Sequence, residues 1–146
     1  MKSRHLGREL ALSTLYALDF NGELKEGIGP VEFPTLSEEE REQLDPETVL
    51  FARYLIAGTI DHLEEIDGWI SRFSINRPID KIDCIDRNIL RMSVFSLLYM
   101  QDIHTNVVIT EAVRLSQEYS REVNYKFING ILDSMRKEIN DYTQNS

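Results

Sequence analysis

The 146-residue sequence is poor in cysteine, proline and glycine, with one Cys, four Pro and seven Gly. A lone cysteine, Cys84, cannot form an internal disulfide, so the chain does not require an oxidising compartment. The first residues lack the apolar core of a signal peptide. The most apolar stretch, residues 82–100, is too short and too charged at its start to cross a membrane. These absences predict a cytoplasmic protein without a membrane association.

Recognisable catalytic and metal-binding motifs are also missing, since there is no Gly-rich phosphate loop, no His-Glu-x-x-His and no Cys-x-x-Cys. The histidines His5, His62 and His104 lie on separate segments, and none has a second ligand at metal-binding spacing. Cys84 has two interpretations. It is either a thiolate favoured by a helix N-terminus or a half-buried small residue, and the neighbouring aspartates favour the second. We expect no cofactor and no metal site.

The charge is negative overall and unevenly distributed. Sixteen basic and 25 acidic residues give a net charge of −9, which argues against non-specific binding of nucleic acids. Residues 21–48 hold nine acidic residues against two basic ones, whereas residues 1–16 hold three basic residues against one acidic residue. A locally basic end therefore precedes the acidic segment.

The stretch from Ile82 to Met100 organises the rest of the chain. Apolar side chains recur in its first half at intervals of three and four residues, which is the helical period. Its second half is apolar in nearly every direction, which is typical of a helix covered on all sides. We predict that this is the most buried helix of the protein, with Ile89, Met92, Phe95 and Leu98 in the core.

Helical spacing recurs along the chain, and no segment shows the period-two alternation of a strand. The sequence predicts a single all-α domain over residues 1–146 with about seven helices and no sheet. Glycines and prolines over residues 23–36 indicate a loop. The other predicted helices cover residues 4–20, a short run after the capping box Ser37–Glu40, residues 45–73, and two runs with N-caps at Thr105 and Ser120. Within residues 45–73, Gly58 and Gly68 either bend the helix or let a neighbour approach.

Five short motifs resemble the bacterial antitermination factor family NusB. They occur in the order that the family has, and they span nearly the whole chain. The motifs are RELALSTLY at residues 8–16, DRNILR at 86–91, VFSLLY at 94–99, EAV at 111–113 and KFINGILD at 126–133, the most specific of the set.

The resemblance implies an all-helical fold of two small helical bundles that share a core, and it implies no enzymatic activity. It also implies binding of single-stranded boxA-type RNA in ribosomal RNA transcripts. The partners would be the small-subunit ribosomal protein called NusE in this role and the RNA polymerase antitermination complex. Self-association as a homodimer is open.

Candidate RNA-binding residues lie at two places in the sequence. Basic side chains at the start of the first helix oppose the helix macrodipole, so local stability does not select them. The resemblance adds two residues at the start of the last helix and places them near the same end. Phe127 also has the spacing of a core residue, and that alternative stays open. The candidates are Lys2, Arg4, His5, Arg8 and Tyr16 from the first group, and Lys126 and Phe127 from the second.

The resemblance also points to Asp86 and Asn124 as residues of the protein-partner surface. We expect Asp86 to be exposed there, although an acid that favours the helix dipole would explain it equally well. We likewise expect Arg4 and Arg8 to be exposed. Their basic cluster is interrupted by Leu6, which predicts a lower RNA affinity than a dense arginine cluster would give.

One alternative belongs to another functional class. A similar helical domain precedes the catalytic part of some ribosomal RNA cytosine methyltransferases. Such a domain would serve as an interaction module without RNA binding of its own. The length of 146 residues leaves no room for a methyl-donor domain and so favours the antitermination factor.

Overall fold

A computed structural model describes residues 2–26, 33 and 36–144, with side chains described over 4–26, 33 and 36–140. This described part contains seven α-helices and no strand, which confirms the all-α prediction. The helices are α1 (Lys2–Phe20), α2 (Glu38–Glu42), α3 (Pro46–Asp61), α4 (Leu63–Phe73), α5 (Cys84–Tyr99), α6 (Thr105–Tyr119) and α7 (Asn124–Gln144). No helix among these residues is both long and apolar enough to cross a membrane.

The helices form two compact units, Met1–Asp61 and His62–Ser146. In the first unit α1 packs against α3, and in the second unit α5 contacts α4, α6 and α7. The expectation that residues 1–146 are one domain stays a prediction.

The first unit is built on the apolar stripe of α1. Leu10, Ala11 and Leu15 are buried there, and α3 contributes the buried Leu55 and Ile56. Residues four apart lie on the same side of a helix, and the residue next to one of them widens that side into an apolar stripe. The stripes of α1 and α3 can therefore pack against each other.

The short helix α2 begins with the predicted capping box. The amide of Glu40 donates to Ser37 Oγ at 3.1 Å, and the amide of Ser37 donates to Glu40 Oε1 at 3.0 Å. These two bonds satisfy backbone donors that a helix start otherwise leaves without a partner.

The second unit is built around α5, as the sequence predicts. Ile89, Met92 and Phe95 are buried, whereas Leu98 is half-buried. Polar residues on this helix are buried as well, among them Asn88 and Arg91. Arg91 donates to Asp67 and so fixes α5 against α4, whereas Asn88 donates to the carbonyl of Cys84 within α5 itself.

The prediction of one helix over residues 45–73 is wrong, because the helix is interrupted at His62. This residue has φ −112° and ψ 22°, and α4 starts after it. Its ring stacks on Tyr99, with the ring centroids 4.2 Å apart. Apolar spacing continues through the break, so periodicity gives no signal of it, and neither Gly58 nor Gly68 interrupts a helix.

Two predicted N-caps are also wrong. At α6 the cap is His104, whose Nδ1 accepts the amide of Asn106 at 3.1 Å, and Thr105 is already helical. Ser120 lies at the C-terminal end of α6 instead of beginning α7. Its hydroxyl donates to Asp86 of α5. The side chain predicted to cap α7 therefore makes a tertiary hydrogen bond instead.

Part of the loop predicted over residues 23–36 falls outside the described residues, namely 27–32 and 34–35. Its described start forms a short 3₁₀ turn over Leu24–Glu26, with Leu24 buried. The acidic segment 21–48 is therefore described only in part.

Replacing Phe95 by Ala should lower the free energy of unfolding by about 3–5 kcal/mol, because it leaves a cavity in the centre of the second unit. Phe95 is 2% exposed, and urea unfolding followed by circular dichroism measures the loss. Phe20 is 71% exposed, so Phe20→Ala is the matched control and should cost about 1 kcal/mol or less. Equal losses for the two variants would contradict the buried position of α5.

Candidate nucleic-acid interface

The basic start of α1 is organised by an aromatic ring from α3. The guanidinium carbons of Arg4 and Arg8 lie 4.8 and 5.2 Å from the centre of the Phe51 ring. Arg4 is exposed, as expected, but Arg8 is only 7% exposed, and the prediction that Arg8 is exposed is wrong. The reason is that Arg8 faces the packing side of α1, where its long side chain covers the ring.

Gly7 permits this arrangement. A Cβ atom at Gly7 would lie 2.7 Å from Cδ2 of Phe51, which is closer than non-bonded carbon atoms approach each other. The absence of a side chain therefore lets the ring come against α1 between the two arginines. Sequence reasoning missed Phe51, and the one signal was an unexplained glycine inside a helix, a position that normally costs stability.

The other candidates on α1 have local partners. His5 is half-buried, and its Nε2 lies 3.6 Å from Oε1 of Glu9. Tyr16 is half-buried two turns after Arg8, and its ring stacks on that of Phe20 at 5.9 Å. The Lys2 side chain lies outside the described residues. In this unit the structure brings Arg4 and Arg8 together at Phe51, whereas Tyr16 belongs to a separate aromatic pair.

The start of α7 carries the candidates of the second unit. Lys126 is exposed and Phe127 is half-buried, so Phe127 is neither a core residue nor a free ring. The guanidinium carbon of Arg77 lies 4.6 Å from the centre of the Phe127 ring. The adjacent Ile128 is fully buried and anchors this turn of the helix.

Asp86 is buried, and the prediction that it is exposed is wrong. It is 0% exposed and accepts three side-chain donors. Ser120 Oγ donates at 2.9 Å, Asn124 Nδ2 at 2.6 Å and Ser116 Oγ at 3.4 Å. One carboxylate thus joins the start of α5 to the end of α6 and the start of α7.

Burial raises the pKa of Asp86 above its ordinary value, and the nearby Asp83 carboxylate acts in the same direction. The hydrogen bonds from Ser120, Asn124 and Ser116 oppose this change but do not cancel it. Removing a carboxylate from water disfavours its charged form, which explains the direction. The two residues predicted for the partner surface, Asp86 and Asn124, are thus joined by a hydrogen bond.

The rest of the DRNILR motif also fixes the packing of α5. Arg87 donates to the carbonyls of Ile79 and Ile82 at 3.2 and 3.0 Å. Arg91 makes two bonds to Asp67 of α4, from Nε to Oδ1 at 2.9 Å and from Nη2 to Oδ2 at 3.1 Å. This motif is therefore structural in the folded chain.

Cys84, at the start of α5, is half-buried. Its sulfur lies 3.6 Å from Nδ2 of Asn88, and its carbonyl accepts that amide at 2.8 Å. This position agrees with a small packed residue.

Comparison with known proteins gives one consistent match. The model of the NusB family matches residues 5–137. Transcription antitermination protein NusB of Myxococcus xanthus is 39% identical over 141 residues, which are 96% of this chain and 99% of that protein. The protein of the same name from Treponema denticola is 35% identical over 135 residues, 92% of this chain and 96% of that one. These names denote antitermination and not a catalysed reaction.

Solved structures share the fold. NusB of T. maritima matches with a TM-score of 0.79 and 30% identity, over 92% of this chain and 91% of that chain. A structure described as antitermination factors NusB and NusE in complex with dsRNA matches with a TM-score of 0.79 and 28% identity. That match covers 94% of this chain and 98% of the matched chain.

Replacing Asp86 by Asn should change how stability depends on pH. Because the folded-state pKa is raised, protonation of Asp86 stabilises the native state in acid. That stabilisation is lost as pH rises from the ordinary aspartate pKa of about 4 through the raised folded value. The melting temperature of the parent minus that of Asp86→Asn should therefore fall as pH rises over this window.

Asp133→Asn is the matched control with the opposite sign. A hydrogen bond from Arg136 lowers the pKa of Asp133. The ionised Asp133 carboxylate therefore contributes to folding stability above the ordinary pKa, and this contribution is lost as pH falls. The corresponding difference in melting temperature should rise with pH. A difference for Asp86→Asn that also rises with pH would contradict a raised pKa.

Proposed function

Because this chain belongs to the NusB family, we propose that it is a transcription antitermination factor that binds RNA together with the ribosomal protein NusE. The observation that carries the proposal is the family match over residues 5–137, joined to the fold shared with a NusB that is described in complex with NusE and RNA. We further propose that the RNA is a boxA-type single strand in ribosomal RNA transcripts. The site of action is then the RNA polymerase antitermination complex in the cytoplasm.

The start of α1 supplies one RNA contact in this proposal. The exposed guanidinium of Arg4 is held on Phe51 and can donate to a phosphate, whereas the buried Arg8 supports the ring from within the unit. An arginine whose position is already fixed loses less freedom on binding, which favours affinity. Lys2, His5 and Tyr16 are proposed to extend this contact.

The start of α7 supplies a second contact. Lys126 is exposed and offers an ammonium group to a phosphate, and the half-buried Phe127 offers a ring for stacking. Proteins hold single-stranded RNA by this combination of charge and aromatic stacking. Because the net charge of the chain is −9, the acidic surface elsewhere should repel RNA and confine it to these basic places.

The partner surface is proposed to include the turn between α6 and α7. Val123 is 67% exposed in this turn, beside the half-buried Asn124. Since Asp86 is buried and bonded to Asn124, its role in partner binding would be to hold this turn in place. A charge-reversing change at Asp86 would then act on folding and on the partner surface together.

Titration with RNA tests the proposal most directly. Fluorescence anisotropy of a labelled boxA-type strand should show binding that strengthens when NusE is added and weakens steeply with salt. The duplex of the same sequence shows whether a paired form is preferred. Binding to NusE without any salt-dependent RNA binding would instead favour the alternative, an interaction module of the kind attached to ribosomal RNA methyltransferases. Sedimentation of the protein alone reports on a homodimer.

Arg4→Ala and Arg8→Ala should have different effects. Arg4→Ala should weaken RNA binding and reduce the salt slope by up to about 0.7, with little change in melting temperature. Arg8→Ala removes a buried side chain and should lower the free energy of unfolding by about 1–3 kcal/mol.

Arg53→Ala is the control for Arg4→Ala, because it removes the same charge from an exposed position on α3. It should leave RNA affinity unchanged. If Arg4→Ala binds RNA with the affinity and salt slope of the parent, the start of α1 is not an RNA contact.

A further inference from the structure

Most basic side chains of the second unit are held by carboxylates. Within its described residues the pairs are Arg72 with Glu138, Arg91 with Asp67, Arg114 with Glu118, Arg121 with Asp83, and Arg136 and Lys137 with Asp133. Arg77, Lys81 and Lys126 are exposed and have no carboxylate within ion-pair distance among these residues. Of these three cations, Arg77 lies over the Phe127 ring and Lys126 is its neighbour in sequence.

Arg77 is held in place by a closed turn. Ser74 Oγ donates to the carbonyl of Arg77 at 2.7 Å, and the amide of Arg77 donates to the carbonyl of Ser74 at 3.4 Å. Ser74 is buried, and Pro78 fixes the backbone immediately afterwards. The turn thus sets the point from which the guanidinium reaches the Phe127 ring, 4.6 Å from its centre.

Arg72 provides an internal comparison. Its guanidinium also lies over aromatic rings, 5.0 Å from Trp69 and 5.2 Å from Phe73, but its charge is paired with Glu138. The second unit thus contains two arginines on aromatic rings, one neutralised and one not. Structural support explains the first arrangement, whereas in the second the guanidinium donors of Arg77 have no acceptor among the described residues.

We propose that Arg77 is an RNA-binding residue, whose guanidinium forms with the Phe127 ring a stacked platform for an unpaired base, beside a phosphate contact from Lys126. This inference rests on the proposed function and adds a residue that the sequence motifs do not contain. A guanidinium is planar and stacks on bases as well as on aromatic rings, while its N–H groups remain available to phosphate oxygens. A lysine side chain has the same positive charge but no planar group that can stack.

Arg77→Lys separates these two contributions. In titrations of a boxA-type single strand with NusE present, it should weaken binding by about 2- to 5-fold, the factor expected for one exposed stacking contact of a cation. The salt slope should stay unchanged because the charge is retained. Arg77→Ala should weaken binding at least as much and also reduce the slope by about 0.7. Arg72→Lys is the matched control and should bind as the parent does.

Coupling to the ring provides the second measurement. Phe127→Leu keeps an apolar side chain and removes the aromatic face, and circular dichroism checks that the variant folds. If the platform exists, adding Arg77→Lys to Phe127→Leu should have little further effect, because both changes remove the same stack. Additive effects of the two changes would overturn the platform.

Failure of this inference differs from failure of the proposed function. If the parent binds the strand and Arg77→Lys binds it equally tightly, Arg77 is not part of a stacking platform and the proposed function stands. If the parent does not bind RNA with or without NusE, the proposed function fails and this inference fails with it.

Discussion

The buried carboxylate of Asp86 is the interaction on which the second unit depends most. It accepts hydrogen bonds from Ser116, Ser120 and Asn124, and so joins α5 to α6 and α7 at one point. A carboxylate without these donors would be costly to bury, and a buried donor without an acceptor also costs stability, though less. The Asp86 carboxylate therefore holds the turn that leads to Lys126 and Phe127. In return, Ser120 and Asn124 of that turn supply the hydrogen bonds that make its burial possible.

Both units contain arginine side chains that lie over aromatic rings. Phe51 holds Arg4 and Arg8 in the first unit, and Phe127 carries Arg77 in the second. In a chain with a net charge of −9, the surface around an unpaired cation is where an anion is repelled least. In the second unit Arg77 is such a cation, and it lies over the Phe127 ring.

Residues that hold the fold are adjacent in sequence to residues that we propose to contact RNA. One motif contains Asp86, Arg87 and Arg91, and each of them makes hydrogen bonds within the second unit. Lys126 and Phe127 belong to another motif, in which the following Ile128 is fully buried. A family motif can therefore contain both packed residues and exposed ones, and the tertiary structure is needed to tell them apart.

The sequence by itself determined the helical class, the buried helix α5 and the capping box at Ser37, because periodicity and capping depend on neighbours within a few residues. It also contained the motifs that indicate the NusB family. Only the tertiary structure decided that the chain breaks at His62, that Asp86 and Arg8 are buried, and that Phe51 and Arg77 lie beside the candidate RNA contacts. These outcomes depend on partners tens of residues away. A local pattern shows on which face of a helix a polar side chain lies, but it does not show what covers that face.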